Sequence, residues 1–296
     1  MKIIMTLLVG GFHSIATNVK ALLSVADLEL LTIKIQKMKI ESTNDKIPTA
    51  PAITYSECYQ QCFCSDNLEL MKTIESNTID LIYCDILYGT GRKFADYQDL
   101  KPIRSEIESH YIPRIKEMHR ILKDTGSIYL QMDTKINHWI RCIMDDIFGY
   151  SNFRNEIIWH YKGTGVSRTF VSKHDVILLY AKTDNFKHNT IYVPSAKKTG
   201  WGGKNEKRCD DVWSDINTIF QSKEKGTQVY DTQKPKALIE RIIKASSNEN
   251  DLVADFYLGS GTTAEVCKDL KRNFIGCDIN PRAVEITLQR LNDARS

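Results

Sequence analysis

From residue 58 onward, short apolar runs alternate along the chain with segments in which apolar side chains recur at every third or fourth position. Apolar runs of about four to eight residues are typical of buried strands, and the longer spacing is typical of amphipathic helices. The pattern predicts strands over residues 59–64, 79–84, 127–132, 156–161, 175–181, 252–254 and 273–277. It predicts helices over residues 67–74, 105–122, 137–148, 236–246, 262–270 and 281–291, the second ending before Gly126.

Strands that alternate with helices predict an α/β fold built on a doubly wound, mostly parallel sheet. The periodicity fades over residues 182–231, where Gly, Lys, Asn, Thr and Trp dominate, and we expect an irregular insertion there. Residues 1–37 are apolar and helix-like, and residues 39–55 have the composition of a linker. The sequence therefore predicts an N-terminal extension and linker over residues 1–55 and one larger domain over residues 56–296.

The apolar run over residues 3–11 resembles a short signal peptide, but it is too short to span a membrane. We expect a helical extension, or an annotated start upstream of the real one, with Met38 as an alternative start. The eight cysteines show no disulfide pattern and several fall in predicted buried strands, which favours a reducing, cytoplasmic compartment without membrane contact. Cys58, Cys62 and Cys64 form the only sequence cluster, and no His or Cys pair follows at zinc-finger spacing, so no metal site is predicted.

Composition adds a mild preference for an anionic partner. The chain is 42% hydrophobic and 26% charged, which suits a soluble protein with a large core. Its net charge is +3 and its pI is about 8.3, which permits nucleic-acid binding without requiring it. The basic excess lies within residues 160–231, where an ordinary solvated surface is the alternative interpretation.

Two segments far apart in the chain follow predicted strands and carry the candidate chemistry. The first is Asp85-Ile86-Leu87-Tyr88, an acid and an aromatic ring placed in a loop at the end of strand 79–84. The second is Asp255-Phe256-Tyr257-Leu258-Gly259-Ser260-Gly261-Thr262-Thr263, a glycine turn between a strand and a helix. In open α/β sheets, ligands bind at the carboxyl ends of the strands. An acid beside a flat ring suits a planar base that carries an amine, and a glycine turn with an acid some 20 residues later, here Asp278, suits a nucleotide-like cofactor.

Together these segments resemble motifs IV and I of the S-adenosylmethionine-dependent amino-methyltransferases of DNA, usually Asp-Pro-Pro-Tyr and Asp-Pro-Phe-x-Gly-Ser-Gly-Thr-Thr. The catalytic motif precedes the cofactor motif, which is the permuted order of the β class. The resemblance covers about residues 57–292, including segments 153–159 and 174–180 that flank the target-recognition region in this family. It implies a seven-stranded methyltransferase-like sheet, with residues 182–231 as an inserted target-recognition region.

The resemblance also implies the cofactor site for S-adenosyl-L-methionine. Asp255 is expected near the methionine amino group, Tyr257 and Asp66 near the adenine, and Asp278 on the ribose hydroxyls. Thr232-Gln233-Lys234-Pro235 resembles motif X, which opens a helix near the methionine carboxylate; Thr232 also suits a plain N-cap. The implied cofactor-binding residues are Asp66, Thr232, Lys234, Asp255, Tyr257, Gly259, Gly261, Thr262 and Asp278.

The catalytic loop is implied to act by accepting hydrogens from an exocyclic amine. The acceptors are the Asp85 carboxylate and the Ile86 main-chain carbonyl, while Tyr88 supplies a face on which a flipped-out base stacks. The chain departs from the family because Ile86 and Leu87 replace two prolines. Proline mainly preorganises such a loop, which contributes roughly 0.4–1 kcal/mol, so we expect the chemistry to survive.

Basic residues near the catalytic loop and in the irregular middle segment are candidate DNA contacts, although each alone also suits a solvated surface. They are Arg92, Lys93, Lys162, Arg168, Lys197, Lys198 and Lys204.

The sequence therefore predicts a cytoplasmic, site-specific DNA methyltransferase that modifies the N6 amine of adenine, because family members with Asp at the first loop position mostly act on adenine. The rivals are a cytosine-N4 methyltransferase, a catalytically silent DNA- or cofactor-binding subunit, and an RNA methyltransferase. Expected partners are double-stranded DNA, a second copy of the chain and a cognate restriction endonuclease.

Overall fold

The computed structural model describes residues 60–93, 98–163, 165–195, 205–219 and 233–293. The predicted N-terminal extension lies outside the described residues, so the division at residue 55 stays a prediction.

Strands and helices alternate through most of the described chain. The strands are β1 Gln60–Cys64, β2 Ile79–Asp85, β3 Leu122–Met132, β4 Phe153–His160, β5 His174–Ala181, β6 Tyr192–Pro194, β7 Glu206–Arg208, β8 Val212–Trp213, β9 Leu252–Asp255 and β10 Asn273–Asp278. The α-helices are α1 Asn67–Thr73, α2 Arg104–Ile121, α3 Asn137–Phe148, α4 Lys236–Ser246, α5 Thr262–Asp269 and α6 Pro281–Asp293.

The main sheet has the strand order β1-β10-β9-β2-β3-β5-β4-β8. Neighbouring strands run parallel from β1 to β3, and β5 is antiparallel to both β3 and β4. The mostly parallel α/β sheet is therefore confirmed. Its strand number differs from the seven expected, because the two-residue strand β8 from the irregular segment adds an eighth strand beside β4.

Helices cover both faces of the sheet, and the alternation of side chains along each strand explains why. In β2, Ile82 and Cys84 pack in the core formed with α1, α2 and α3. Leu81 and Tyr83 point the other way, into the core formed with α4, α5 and α6. Strands buried on both faces read as continuous apolar runs, which is the pattern that predicted them.

The predicted boundary at Gly126 was wrong. Helix α2 ends at Ile121, and the chain enters β3 directly at Leu122, which pairs with Ile79 of β2. Gly126 lies inside the strand. Pairing with β2, which is a tertiary interaction, overrides the turn preference of the local sequence.

The central pair of the sheet brings the two candidate segments together. Leu81 of β2 pairs in parallel with Val253 of β9, so both strands end at the same edge of the sheet. Among the residues that the structure describes, the helices are all too short or too polar to cross a membrane.

Candidate active site

A cavity of about 840 Å³ opens at the carboxyl edge of the sheet. Four catalytic and seven cofactor-binding candidates from the sequence line it. They are Asp85, Ile86, Leu87, Tyr88, Asp66, Lys234, Asp255, Tyr257, Gly259, Thr262 and Asp278. The fold thus joins the segment after β2 with the segment after β9 in one site, while Thr232 lies outside the described residues.

The catalytic loop begins where β2 ends, and the core fixes its backbone. The Ile86 N–H donates to the Gln131 carbonyl over 3.0 Å, which extends the β2–β3 pairing by one residue. The Ile86 side chain is only 2% exposed. The Tyr111 hydroxyl donates to the Leu87 carbonyl over 3.0 Å and holds the loop from α2. One of the two N–H groups that replace the family's prolines therefore has a main-chain partner.

The Asp85 carboxylate has a partner on each oxygen. Its Oδ1 accepts the Tyr88 hydroxyl over 2.9 Å, and its Oδ2 forms an ion pair with the Lys234 ammonium. Burial raises the pKa of the Asp85 carboxyl, and the Lys234 charge and hydrogen bond oppose part of this rise. Burial, with help from nearby carboxylates, raises the pKa of Tyr88 well above its usual value, so its hydroxyl stays protonated and acts as a donor.

A second buried carboxylate, Asp175, lies on the other side of the Tyr88 hydroxyl. Its Oδ2 accepts that hydroxyl over 2.7 Å and the Gln131 side-chain amide over 2.8 Å, while its Oδ1 accepts the Tyr161 hydroxyl over 3.3 Å. From the sequence, Asp175 was predicted to begin a buried strand and to belong to a segment that flanks the target-recognition region, with no role in the site. An acid just before an otherwise apolar run was the one feature of the sequence that could have pointed to Asp175. Its place in the site depends on the antiparallel pairing of β5 with β3, which brings the beginning of β5 to the carboxyl edge of the sheet.

Asp255 is the buried acid of the cofactor loop. The Thr263 hydroxyl donates to its Oδ2 over 2.6 Å, and the Tyr257 N–H donates to its Oδ1 over 3.0 Å. Burial raises the pKa of the Asp255 carboxyl to about 7, and these two hydrogen bonds oppose the rise. A cationic group bound nearby would favour the ionised form.

The two glycines of the cofactor loop, Gly259 and Gly261, have different surroundings. Gly259 has φ +51°, and a Cβ built there would have only the Tyr257 carbonyl oxygen within 4 Å, at 3.9 Å, so the backbone faces open cavity. Gly261 has φ +75°, and a Cβ there would lie 2.2 Å from the Thr287 hydroxyl of α6. Gly261 therefore allows close packing against α6, and its expected place under the cofactor stays a prediction.

Asp278 ties the glycine loop to the end of β10. Its Oδ2 accepts the Gly259 N–H over 2.9 Å, and its Oδ1 accepts the Asn280 N–H over 2.9 Å. Asp278 also lines the cavity, and a carboxylate is the side chain suited to accept hydrogen bonds from hydroxyl groups of a ligand.

The side of the cavity that Asp66 lines is built partly by residues of α2 that the sequence did not predict for the site. Asp66 caps α1 by accepting the Leu68 N–H over 2.8 Å, and its other oxygen forms an ion pair of 2.7 Å with Arg114 of α2. His110, one turn before Arg114, contacts the Tyr257 hydroxyl at 3.1 Å. Burial and the Arg114 charge lower the pKa of His110 to about 4, so its imidazole is neutral. The spacing of apolar residues predicted helix α2, but it gave no reason to place the polar residues of that helix, such as His110 and Arg114, in the site.

The described DNA-contact candidates lie outside the cavity lining. Arg92 and Lys93 are exposed just after the catalytic loop, and Lys162 and Arg168 are exposed in the segment between β4 and β5. Tyr161, which lines the cavity, begins that segment, so the segment leaves from the rim of the cavity. Lys197, Lys198 and Lys204 lie outside the described residues.

Comparisons with known proteins agree with this geometry. A model of the DNA methylase family, N6_N4_Mtase, matches residues 79–289. The type II methyltransferase M.HpaI of Haemophilus parainfluenzae is 34% identical over 79% of this chain and 74% of its own length. The DNA adenine methyltransferase YhdJ of Escherichia coli (strain K12) is 29% identical over 77% of this chain and 81% of its own length.

Solved structures of low sequence identity share the fold. The PvuII DNA methyltransferase, described as cytosine-N4-specific, has a TM-score of 0.61 at 18% identity, over 80% of this chain and 90% of that chain. A complex of M1.HpyAVI with S-adenosylmethionine has a TM-score of 0.55 at 21% identity, over 78% of this chain and 98% of that chain.

The chain belongs to the DNA methylase family of N6- and N4-amino-methyltransferases. The family expected from the two motifs is thereby confirmed, and so are its methyltransferase fold and its cofactor, S-adenosylmethionine. The described residues fit this cofactor. Asp255 offers a buried carboxylate for an ammonium, Asp278 lines the cavity with a carboxylate suited to hydroxyl donors, and Gly259 leaves backbone open to the cavity.

Proposed function

We propose that this protein methylates the N6 amine of adenine in double-stranded DNA at a specific sequence. The observation that carries the proposal is the position of the Asp85 carboxylate, which lies in the same cavity as the glycine loop. An acceptor for an amine and a site for a methyl donor thus share one enclosed space. Asp at the first position of the catalytic loop favours adenine, and one of the relatives above is named as an adenine methyltransferase.

The residues of the loop prepare the amine for attack. An exocyclic amine conjugated to a base ring is a poor nucleophile, and acceptors on its hydrogens free its lone pair. Asp85 and the Ile86 carbonyl are the proposed acceptors, and the cofactor supplies an electrophilic methyl group on a sulfonium. The cavity orients the amine towards that group, and Tyr88 provides the stacking face.

The target base must leave the duplex to reach Asp85, and stacking offsets part of the unstacking free energy. Arg92, Lys93, Lys162 and Arg168 are proposed to contact the phosphates around the rim, together with Lys197, Lys198 and Lys204. The names of the relatives favour a role beside a cognate restriction endonuclease. We place the protein in the cytoplasm, where its DNA is, and include a homodimer as its proposed assembly.

Cytosine-N4 methylation is the second candidate, because the similar PvuII fold belongs to an enzyme described as cytosine-N4-specific. The same acceptors would serve a cytosine amine. A catalytically silent protein is less favoured, because the Ile86 N–H has a partner and the loop is packed in spite of its missing prolines.

The test is methylation of DNA from a strain without methyltransferases, using the full chain and labelled S-adenosylmethionine. Digestion to nucleosides and mass detection separate the candidates. N6-methyladenine is the expected product, N4-methylcytosine would replace the adenine assignment, and absence of both would contradict the proposal. The matched control is Asp85→Asn, which keeps the shape of the side chain but offers one carbonyl acceptor and no charge.

A further inference from the structure

Asp175 is a buried carboxylate on the wall of the active-site cavity that no motif assigns. It is 6% exposed and stands at the start of β5. The amide of Gln131 orients it from behind, because the Tyr83 hydroxyl donates to the Gln131 side-chain oxygen over 2.8 Å and thereby turns the amide nitrogen towards Asp175. Asp175 is therefore held by a buried hydrogen-bond network and aimed at the catalytic loop.

The Tyr88 hydroxyl lies between two carboxylates. Its oxygen is 2.9 Å from Asp85 Oδ1 and 2.7 Å from Asp175 Oδ2. A hydroxyl has one hydrogen, so it can donate to only one of them at a time. When it donates to Asp85, it takes one acceptor position on Oδ1 and competes with the target amine for that oxygen. When it donates to Asp175, this competition at Oδ1 is removed.

We propose that Asp175 is a positioning residue that takes the Tyr88 hydroxyl when the target amine enters the cavity, so that Asp85 is free to accept the hydrogen of the amine. This inference rests on the proposed function. The change needs only a rotation of the hydroxyl, since both acceptors are already within hydrogen-bond distance. Asp175 also keeps the hydroxyl satisfied after the exchange, because a buried donor left without a partner is costly. The Tyr88 ring thus stays in place as a stacking face.

A double-mutant cycle between Asp175→Asn and Tyr88→Phe tests this role. Asn keeps the shape but is a weaker acceptor than a carboxylate, so the hydroxyl remains on Asp85. We expect single-turnover methyl transfer to fall about tenfold in Asp175→Asn, with S-adenosylmethionine affinity unchanged. In the Tyr88→Phe background there is no hydroxyl to place, so the second substitution should change the rate less than about twofold.

Asp80→Asn is the matched control, because Asp80 is also a buried aspartate and is the second residue of the strand that ends at Asp85. Its effect should be equal in both backgrounds. If Asp175→Asn fails to fold, Asp175→Glu carries the same cycle, since it keeps the charge and moves the carboxylate by one methylene.

The inference is overturned if Asp175→Asn keeps the wild-type rate, or if it slows Tyr88→Phe as much as it slows the wild type. A wild-type protein that transfers no methyl group to DNA overturns the proposed function, and the inference with it. Wild-type activity together with an additive cycle overturns the inference alone.

Discussion

Lys234 forms an ion pair with Asp85 inside the cavity, although the two residues lie 149 positions apart. The ammonium also lies 5.3 Å from the centroid of the Tyr88 ring. The resemblance placed Lys234 near the methionine carboxylate. In its observed position the Lys234 ammonium stabilises the ionised form of Asp85. Without this cation the pKa of Asp85, already raised by burial, would rise further.

Asp85→Ala removes an amine acceptor and leaves the glycine loop intact. We expect methyl transfer to fall by at least about 100-fold, the usual scale for loss of a group that assists proton movement. Calorimetry should show little change in cofactor affinity. Near-normal turnover in this variant would remove Asp85 from the mechanism.

Lys234→Met removes the cation that holds the pKa of Asp85 down. Because the amine acceptor must be ionised, we expect the acidic limb of the kcat–pH profile to move to higher pH. Lys236→Met is the matched control, since Lys236 forms its ion pair with Glu265 and does not line the cavity. An unshifted profile for Lys234→Met, or an equal shift for the control, would contradict the coupling.

The Asp255 carboxyl gives a pH dependence with a defined sign. Its folded pKa, about 7, is above the ordinary value of 3.8, so its protonated form stabilises the fold and that stability is lost as the pH rises from 3.8 to about 7. A bound ammonium favours the ionised form, so cofactor affinity should increase over the same range.

Calorimetry with S-adenosylhomocysteine from about pH 6 to about pH 7.5 avoids most of the titration of the ligand's α-amino group, near pH 7.7–8.0. Asp255→Asn should bind more weakly and show a flat profile. If the affinity of the wild-type protein did not depend on pH, the proposed contact between Asp255 and the cofactor's ammonium would be excluded.

Asp278→Ala removes the proposed acceptor of the ribose hydroxyls and also the hydrogen bonds that Asp278 accepts from the N–H groups of Gly259 and Asn280. Hydrogen bonds to charged groups contribute about 1.5–3 kcal/mol, so cofactor affinity should fall at least about tenfold. Asp278→Asn should lose less, because it retains a side-chain acceptor. Unchanged affinity for both variants would exclude the ribose role.

Proline substitutions distinguish the two unusual positions of the catalytic loop. Since proline mainly preorganises such a loop, the sequence alone predicts that prolines at both positions leave activity intact or raise it modestly. The structure changes this expectation for Ile86, whose N–H donates to the Gln131 carbonyl. Ile86→Pro should lower the free energy of unfolding by about 0.5–1.5 kcal/mol, the usual net contribution of a hydrogen bond, and should slow turnover.

Leu87→Pro keeps the carbonyl that Tyr111 binds, and we expect it to retain activity. Urea unfolding and turnover of the two single variants provide the comparison. Equal behaviour of the two variants would show that the bond to Gln131 is unimportant.

The spacing of apolar residues predicted the bounds of those helices whose ends are set by their own sequence. Helices α3 and α4 have the predicted bounds, because their apolar faces begin and end with the helices themselves. The start of β3 was mispredicted at residue 127, because Leu122 pairs with Ile79 and this contact between distant residues leaves no signal in the local sequence. The mostly parallel direction of the sheet followed from the alternation of strands and helices, whereas the order of the strands was not predicted.

The motifs located the ends of β2 and β9, where Asp85 and Asp255 share one cavity. They could not locate Asp175 or Arg114, because these side chains reach the site from β5 and α2 through tertiary packing. A motif is a short stretch of consecutive residues, so it identifies site residues that are neighbours in the sequence. Residues that reach the site from other helices and strands form no such stretch.

The pairing of β2 with β9 has a consequence for synthesis on the ribosome. Asp80 of β2 accepts a bond from the Leu252 N–H, 172 positions later. At about 5–20 residues per second, about 9 to 34 s pass between synthesis of this part of β2 and synthesis of β9, its partner strand. Residues 79–84 are buried throughout in the finished fold, so the nascent chain exposes an apolar strand edge during this interval. Because the catalytic motif precedes the cofactor motif in the chain, β2 is synthesised long before β9. The exposed edge of β2 is therefore where we expect a partly synthesised chain to bind a chaperone or to aggregate.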